Sequence, residues 1–475
     1  MNTDAPPRPD PRQVLPTGTR ALYGLSQIAL HLLLPLAILL LLRRAVREPG
    51  HLRHLSHRLG LGPTGPHGAV WVYAASLGET RAASPLIRHL ITAGHPVLLC
   101  HMSPAGLTEG HRLFAGNPMI THRYIPLDLF WAVRLFLWRA RPRLGLVCEI
   151  EIWPAMLIEA ARAGVPMVMV NGNLLDRSIG GPGSTRRHLM ALYQLFARVL
   201  TRTEAYRARY LRIGVAASRV QIVGEMKYDQ WVDPADLARG AALRAGWPGA
   251  VRVLMIASSV EAEEPALLAM VQTLLAQPGL RVVWAPRSPQ RFGAVAQALQ
   301  AAGIATARRS ALGPAMAGPL PDVQVLLGDS IGEMNAYYRM ADLVFVGASL
   351  IPHGGHNIME PMALAKPVVM GPSIYGIAFA AEPAGRAGAF ESLPDAVALR
   401  LRIEHLLNDP AKLAAMAQAA QTFAESQTGA AGRSLAALAP WLDRGPDLGP
   451  DRGPDRGFTL STEEGQAAAL KPPAK

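Results

Sequence analysis

The chain has 475 residues, half of them hydrophobic, with 47 lysines and arginines against 35 acidic residues, a formal charge of +12. That length accommodates two or three domains with sizeable cores, and the basic excess points to a polyanionic partner. No zinc-finger spacing, RNP motif or basic zipper occurs, which argues against nucleic acid and leaves an anionic membrane face or a phosphorylated lipid. The two cysteines, Cys100 and Cys148, lie outside any CxxC and read as core thiols of a reducing compartment.

Residues 1–20 are rich in proline and arginine and read as disordered. Residues 21–42 carry no charge over about one bilayer's length and read as a transmembrane anchor, weakened by His31 and Pro35. Arg43, Arg44, Arg47, Arg53 and Arg58 follow it, which favours a cytoplasmic body. The other reading is a hydrophobic hairpin docked on the membrane without crossing it. Continuous apolar runs then predict strands at 69–74, 95–101, 143–149, 165–171, 197–201 and 220–223, with helices such as 80–93 and 154–163 between them. Turn chemistry at Asp233-Pro234 and at 246–249 predicts a linker within 228–250. A second series follows, with strands at 251–257, 280–286, 323–328, 342–347 and 366–371 and helical character over 394–427. The fold class is therefore α/β, with two Rossmann-like parallel-sheet domains facing a cleft. Beyond Trp441 the G-P-D repeats at 445–447, 449–451 and 453–455 read as a disordered tail.

Several polar groups fall at predicted strand ends. Glu79, in Ser76-Leu77-Gly78-Glu79, is either a general base or one half of a capping box with Ser76. Glu149 and Glu151 share a face if their strand continues and separate if it ends; solvated or arginine-bound carboxylates are the alternative. Asn171, Asn173, Asp176, Arg177 and Ser178 form a polar loop that could bind a phosphorylated acceptor or be only a turn. Ser258 and Ser259 could bind phosphate or cap a helix. Arg287 suits a carboxylate or phosphate, or a surface ion pair. Lys227 lies beside the linker. Gly354 and Gly355 permit close backbone approach to a ligand, ahead of a helix expected to start near Asn357 and to attract anions, with Glu360 one turn in for hydroxyls. The alternative there is a capped helix, with Asn357 as N-cap and Glu360 as its partner. There is no Walker loop, G-x-G-x-x-G, H-E-x-x-H or D-x-D, and His353 with His356 lacks an evident third ligand for a metal.

These segments together resemble the 3-deoxy-D-manno-octulosonic acid (Kdo) transferase family over roughly residues 20–425. The motifs are Arg58-Leu59-Gly60, S-L-G-E at 76–79, E-I-E-I-W-P at 149–154, N-L-L-D-R-S at 173–178, G-E-M-K-Y-D at 224–229, S-S-V-E-A-E-E at 258–264, P-R-S-P-Q-R-F at 286–292 and the stretch 328–371. The resemblance implies a membrane-anchored GT-B enzyme that transfers Kdo from CMP-Kdo to the lipid A precursor, lipid IVA, at the inner face of the cytoplasmic membrane, without a metal. It implies an acceptor domain over 43–235 and a CMP-sugar domain over 236–440. It implies Glu79 as base, with Glu149 and Glu151 as its acidic neighbours. It implies donor contacts from Ser258, Ser259, Arg287, Ser330, Ile331, Gly332, Glu333, Gly354, Gly355, His356, Asn357 and Glu360. Acceptor contacts fall to Arg58, Asn173, Arg177, Ser178 and Lys227. Three positions depart from the family pattern: Val260 and Ser288, where histidine is usual, and Glu225, where asparagine is usual. They leave room for a GT-B transferase of another nucleotide sugar, or for a catalytically impaired membrane-anchored paralogue.

Overall fold

The computed structural model describes residues 10–47, 54–149, 151–179, 184–229, 232–247, 251–313, 320 and 322–443. They form two seven-stranded, wholly parallel sheets. The first holds β1 (Val70–Tyr73), β2 (Val97–His101), β3 (Ile120–Tyr124), β4 (Leu144–Cys148), β5 (Met167–Gly172), β6 (Arg198–Thr201) and β7 (Val220–Ile222), in the spatial order β3-β2-β1-β4-β5-β6-β7. The second holds β8 (Arg252–Ser259), β9 (Leu280–Pro286), β10 (Thr306–Arg308), β11 (Val325–Leu327), β12 (Leu343–Val346), β13 (Val368–Met370) and β14 (Phe390–Ser392), in the order β10-β11-β9-β8-β12-β13-β14.

Each sheet is covered on both faces. In β1, Trp71 and Tyr73 enter one core and Val70 and Val72 the other, all nearly inaccessible. This double burial is why the strands read as unbroken apolar runs rather than alternating ones. The three strands that the apolar pattern misses are β3, β10 and β14, all at sheet edges. Their sequences, ITHRY, TAR and FES, are polar because edge strands are only half covered. The order of connection reverses between β1 and β4 in one sheet and between β8 and β12 in the other. Loops leaving such neighbours diverge and open a crevice at the strands' carboxyl ends.

The two ends of the chain depart from expectation. Pro11–Val14 is helical, and Pro11 and Leu15 are buried against the first domain, so disorder does not extend through residue 20. Residues 1–9 lie outside those described. A helix then runs from Thr17 to Arg47, but its first half is fastened to the body by polar groups. The Tyr23 hydroxyl donates to Glu159 (3.0 Å), Gln27 donates to Asp128 O (3.0 Å) and accepts from Phe130 N (2.9 Å), and His31 Nε2 accepts from the Trp131 indole (2.9 Å). Beyond the last of these contacts, residues 32–42 span about 16 Å of helix at ~1.5 Å per residue, against a hydrocarbon thickness of about 30 Å. Among the described residues no helix is long and apolar enough to cross a membrane, and the expected spanning helix over 21–42 is corrected accordingly.

The expected end of order at 441 is also displaced. Helix Ala430–Leu442 leaves the second domain and packs on the first, burying Ala430, Leu438 and Trp441 in its core. Residues 444–475, with the G-P-D repeats, lie outside those described. The return crossing is clamped to the outgoing one. Asp229 accepts from Gly429 N (2.6 Å) and Ala431 N (2.5 Å), and Arg433 Nε donates to Val223 O (2.8 Å). Just before this clamp, Met226 is buried in the first core and Tyr228 packs against the second. Two adjacent chain crossings thus hold the domains together. Asp229→Ala removes both cap bonds and should cost about 1–2 kcal/mol, read as a lower first midpoint in urea unfolding; an unchanged midpoint would show that the clamp carries no load.

Candidate active site

The first half of the site follows β1. The Ser76 hydroxyl accepts from Glu79 N (3.2 Å), and the carboxylate answers by accepting from Ala75 N (2.7 Å) and the Ser76 hydroxyl (3.1 Å). The capping geometry is therefore real, yet Glu79 stays only half-buried at the mouth of the crevice. Burial raises its pKa to about 7, helped by Glu151 and Glu149, while the Ala75 amide and Ser76 hydroxyl act the other way. A carboxyl split between its two forms near neutrality can serve as a general base.

Strand β4 ends at Cys148, so Glu149 and Glu151 do not share a strand face. Glu149 adopts a left-handed backbone (φ 63°), strained for a residue with a side chain. Its carboxylate binds Lys227 Nζ (2.9 Å), Arg202 Nη2 (3.1 Å) and Asn173 Nδ2 (3.3 Å). Arg202 also holds Glu225 through a 2.7 Å ion pair. Two carboxylates and two cations therefore balance, and the unusual charge at Glu225 faces Arg202 rather than the open crevice. Glu151 is separate, accepting the Trp153 indole N–H (2.8 Å). Arg202 was missed in sequence, although it directly follows β6, the same strand-end placement that marks Arg287.

The other acceptor candidates divide. Arg58 is buried, with its guanidinium donating to Met102 O and lying 4.4 Å from the Tyr124 ring centroid, so it braces the first domain instead of lining an open surface. Ser178 lies on a short helix, Asp176–Ile179, which Asp176 ties to Arg209 and Arg212. The Arg177 side chain lies outside those described.

The second half of the site follows β8, β9, β11 and β12. Arg287, just past β9, is exposed; its backbone N–H donates to Ser259 O (2.9 Å), while its guanidinium has no hydrogen-bond or ion-pair partner among the described residues and is open to an anion. Its charge helps lower the pKa of His356 to about 4, behind the larger effect of burial. Ser258 is strained (φ 57°), whereas Ser259 is fully buried and accepts the Trp284 indole N–H (2.9 Å). Neither serine caps the next helix, because Val260 occupies that place. Ser288 turns to Gln290. In the 330–333 turn, Ile331 is 76% exposed and Gly332 takes φ 88°. Glu333 binds the Ser330 hydroxyl and Arg309 (2.9 Å), which closes the turn.

Gly354 and Gly355 take φ values of 95° and 80°. A β-carbon at Gly354 would meet the Tyr375 ring at 2.9 Å, so the glycine is required for close packing as well as for its backbone. The helix that follows starts at Met359, two residues past Asn357 as expected, but ends at Ala363; five residues are too few for the expected dipole-driven anion site. Asn357 caps Met359 N (3.0 Å) and donates to Glu360 Oε1 (3.2 Å). Burial raises the pKa of Glu360, while Asn357 and then the charges of Arg81 and Arg287 lower it. Arg81, two residues beyond Glu79 on the first-domain helix Leu77–Thr92, thus acts by its charge on Glu360 of the second domain. No group of histidine, cysteine, aspartate and glutamate side chains able to hold a metal occurs among the described residues.

Two facing parallel-sheet domains, a carboxylate poised near neutrality on one wall and a basic, glycine-rich loop system on the other define a glycosyltransferase of the GT-B type. Residues 53–230 match the family model described as 3-deoxy-D-manno-octulosonic-acid transferase, and residues 316–423 match glycosyl transferases group 1. A 3-deoxy-D-manno-octulosonic acid transferase of Bordetella pertussis is 38% identical, over 88% of this chain and 99% of that protein. The enzyme of the same name from Haemophilus influenzae is 30% identical, over 84% and 94%. A solved structure titled as the C-terminal CMP-Kdo binding domain of WaaA from Acinetobacter baumannii is 30% identical, over 40% of this chain and 98% of that one, with a TM-score of 0.37. A glycosyltransferase from Rickettsia africae shares the fold, with a TM-score of 0.53 at 12% identity over 80% of this chain and 100% of that one. The chain belongs to the 3-deoxy-D-manno-octulosonic acid transferase family and is a glycosyltransferase.

The Glu79 carboxyl should titrate near pH 7 in carbon-13 NMR of the side-chain carboxyls, and the signal should vanish in Glu79→Gln. A midpoint at the ordinary 4.5 would mean that the carboxylate is solvated.

Proposed function

We propose that the enzyme moves Kdo from CMP-Kdo to the lipid A precursor, lipid IVA, with inversion, in lipopolysaccharide core biosynthesis. The observation that carries this reading is the raised, half-buried carboxyl of Glu79 facing a wall that presents Arg287 and Glu360. Family membership supports the sugar, because the relatives of known name transfer Kdo.

In this reading the acceptor hydroxyl enters beside Glu79, which takes its proton as the oxygen attacks the anomeric carbon. The bond from that carbon to the phosphate oxygen of CMP breaks, and CMP leaves with the electron pair. Arg287 neutralises the phosphate, the 330–333 turn and the Gly354–Gly355 loop approach the nucleotide, and Glu360 receives ribose hydroxyls. His356 stays neutral at physiological pH because of its burial, so it serves as a hydrogen-bonding group rather than a cation. Lys227 and Asn173, gathered on Glu149, together with Ser178, take the acceptor's phosphates. No metal enters the scheme; the cations are side chains.

The enzyme works at the inner face of the cytoplasmic membrane. Leu25, Ile28, Leu32, Leu33, Leu36, Leu39 and Leu40 are each more than half exposed on the 17–47 helix, and Arg43 follows them. A docked helix with that apolar surface suits the interfacial region of an anionic bilayer. It would place the crevice next to a lipid acceptor.

Because the base must lose its proton, kcat/KM should rise with pH through about 7 on its acid limb. Glu79→Gln should lower kcat by roughly 10²–10⁴-fold and leave CMP binding unchanged. Near wild-type turnover in that variant, assayed by mass spectrometry of the lipid product, would remove Glu79 as base. CMP should compete with the donor and UDP should not; the reverse would point to a different nucleotide sugar.

A further inference from the structure

Glu263 sits one turn after β8, is 1% exposed and has no cationic partner among the bonds described. Its carboxylate is instead surrounded by backbone amides. Oε1 accepts from Val260 N (3.1 Å) and Ala348 N (2.7 Å); Oε2 accepts from Ser349 N (3.3 Å) and Leu350 N (3.4 Å). Three of these four donors belong to the loop after β12, the neighbour of β8 at the switch point. The loop backbone is shaped for this contact. A β-carbon at Gly347 would stand 2.5 Å from Glu263 Oε1, and Ala348 takes a left-handed φ of 58°. Burying an anion is costly unless its hydrogen bonds are satisfied, so the cluster forms as a unit or not at all.

The contacts continue into the donor loop without a gap. Ser349 Oγ accepts from Gly371 N (3.0 Å), and Ser349 O accepts from Ser373 N (3.0 Å). Ser373 Oγ then accepts from Gly354 N (2.9 Å), while Gly355 N donates to Ala348 O (2.9 Å). Two separate routes therefore lead from one buried carboxylate to the paired glycines.

We propose that Glu263 is a positioning residue for the sugar-nucleotide donor, setting the Gly354–Gly355 backbone through the 347–350 loop and Ser373 without touching the donor itself. The inference rests on the donor-site reading given above. Glutamine keeps the size of the side chain but replaces one acceptor oxygen with a donor that faces amide N–H groups. Ser373→Ala cuts a single downstream link and leaves the core packing intact.

The test measures steady-state kinetics for CMP-Kdo and for the lipid acceptor, with thermal melting of each variant. Glu263→Gln should raise the donor KM by about tenfold, with a much smaller change in kcat and in the acceptor KM, the pattern of lost uniform binding. Ser373→Ala should shift the donor KM in the same direction with an unchanged melting temperature. The double variant should be no worse than Glu263→Gln alone, because the two act in one line. Glu263→Asp, which keeps the charge, should recover part of the loss. A fall in kcat with donor KM unchanged would reduce Glu263 to a folding role and overturn the proposal, as would additive effects in the double variant. Arg287→Ala separates the two readings: if it raises the donor KM while Glu263→Gln does not, only the positioning role fails. If neither does, the donor-site assignment itself fails.

Discussion

A parallel strand can reach its neighbour only by crossing over one face of the sheet, so every strand in both domains runs the same way. All the carboxyl ends therefore lie along one edge of each sheet. Where the strand order reverses, the loops part and leave a crevice. Glu79 and Glu149 follow the two strands at the first reversal, and Val260–Glu263 and 347–357 follow the two at the second. The reacting groups come from distant parts of the chain because sheet topology, not sequence proximity, brings them to one edge.

The two walls meet this constraint by different means. The first collects charge, balancing Glu149 and Glu225 with Arg202 and Lys227 while burial holds Glu79 near neutrality. The second spends its buried carboxylate on backbone geometry, since Glu263 binds amides and no cation. An anionic donor suits this division, because the open guanidinium of Arg287 is left on the donor side. The chain crossing between the walls is compact. Met226 and Tyr228 anchor in opposite cores, and Lys227 between them reaches Glu149. The crossing between the domains and the charge network of Glu149 thus share a three-residue segment.

The attachment of the 17–47 helix depends on the same economy of polar contacts. Hydropathy treats Tyr23, Gln27 and His31 as interruptions of an apolar run. The fold uses them as the fastening to Glu159, Asp128 and Trp131. A helix bound in this way presents its leucines sideways, as a surface and not as a span.

The central strands and the strand–helix alternation were legible because doubly buried strands must be apolar throughout. The polar strand-end motifs were legible too, since chemistry at a crevice needs particular residue types. Edge strands were not, because ITHRY, TAR and FES lack the apolar signal that only full burial demands. Nor was the return of Ala430–Leu442 to the first domain, which depends on a capping carboxylate 200 residues earlier in the chain. Sequence alone determined the class of fold and the residue types available for transfer. Tertiary structure alone decided that Glu225 is neutralised, that Arg58 and Ser259 are framework, and that Glu263 holds the glycine loop. Each of those outcomes depends on which partner lies within about 3 Å, a distance that residue order does not encode.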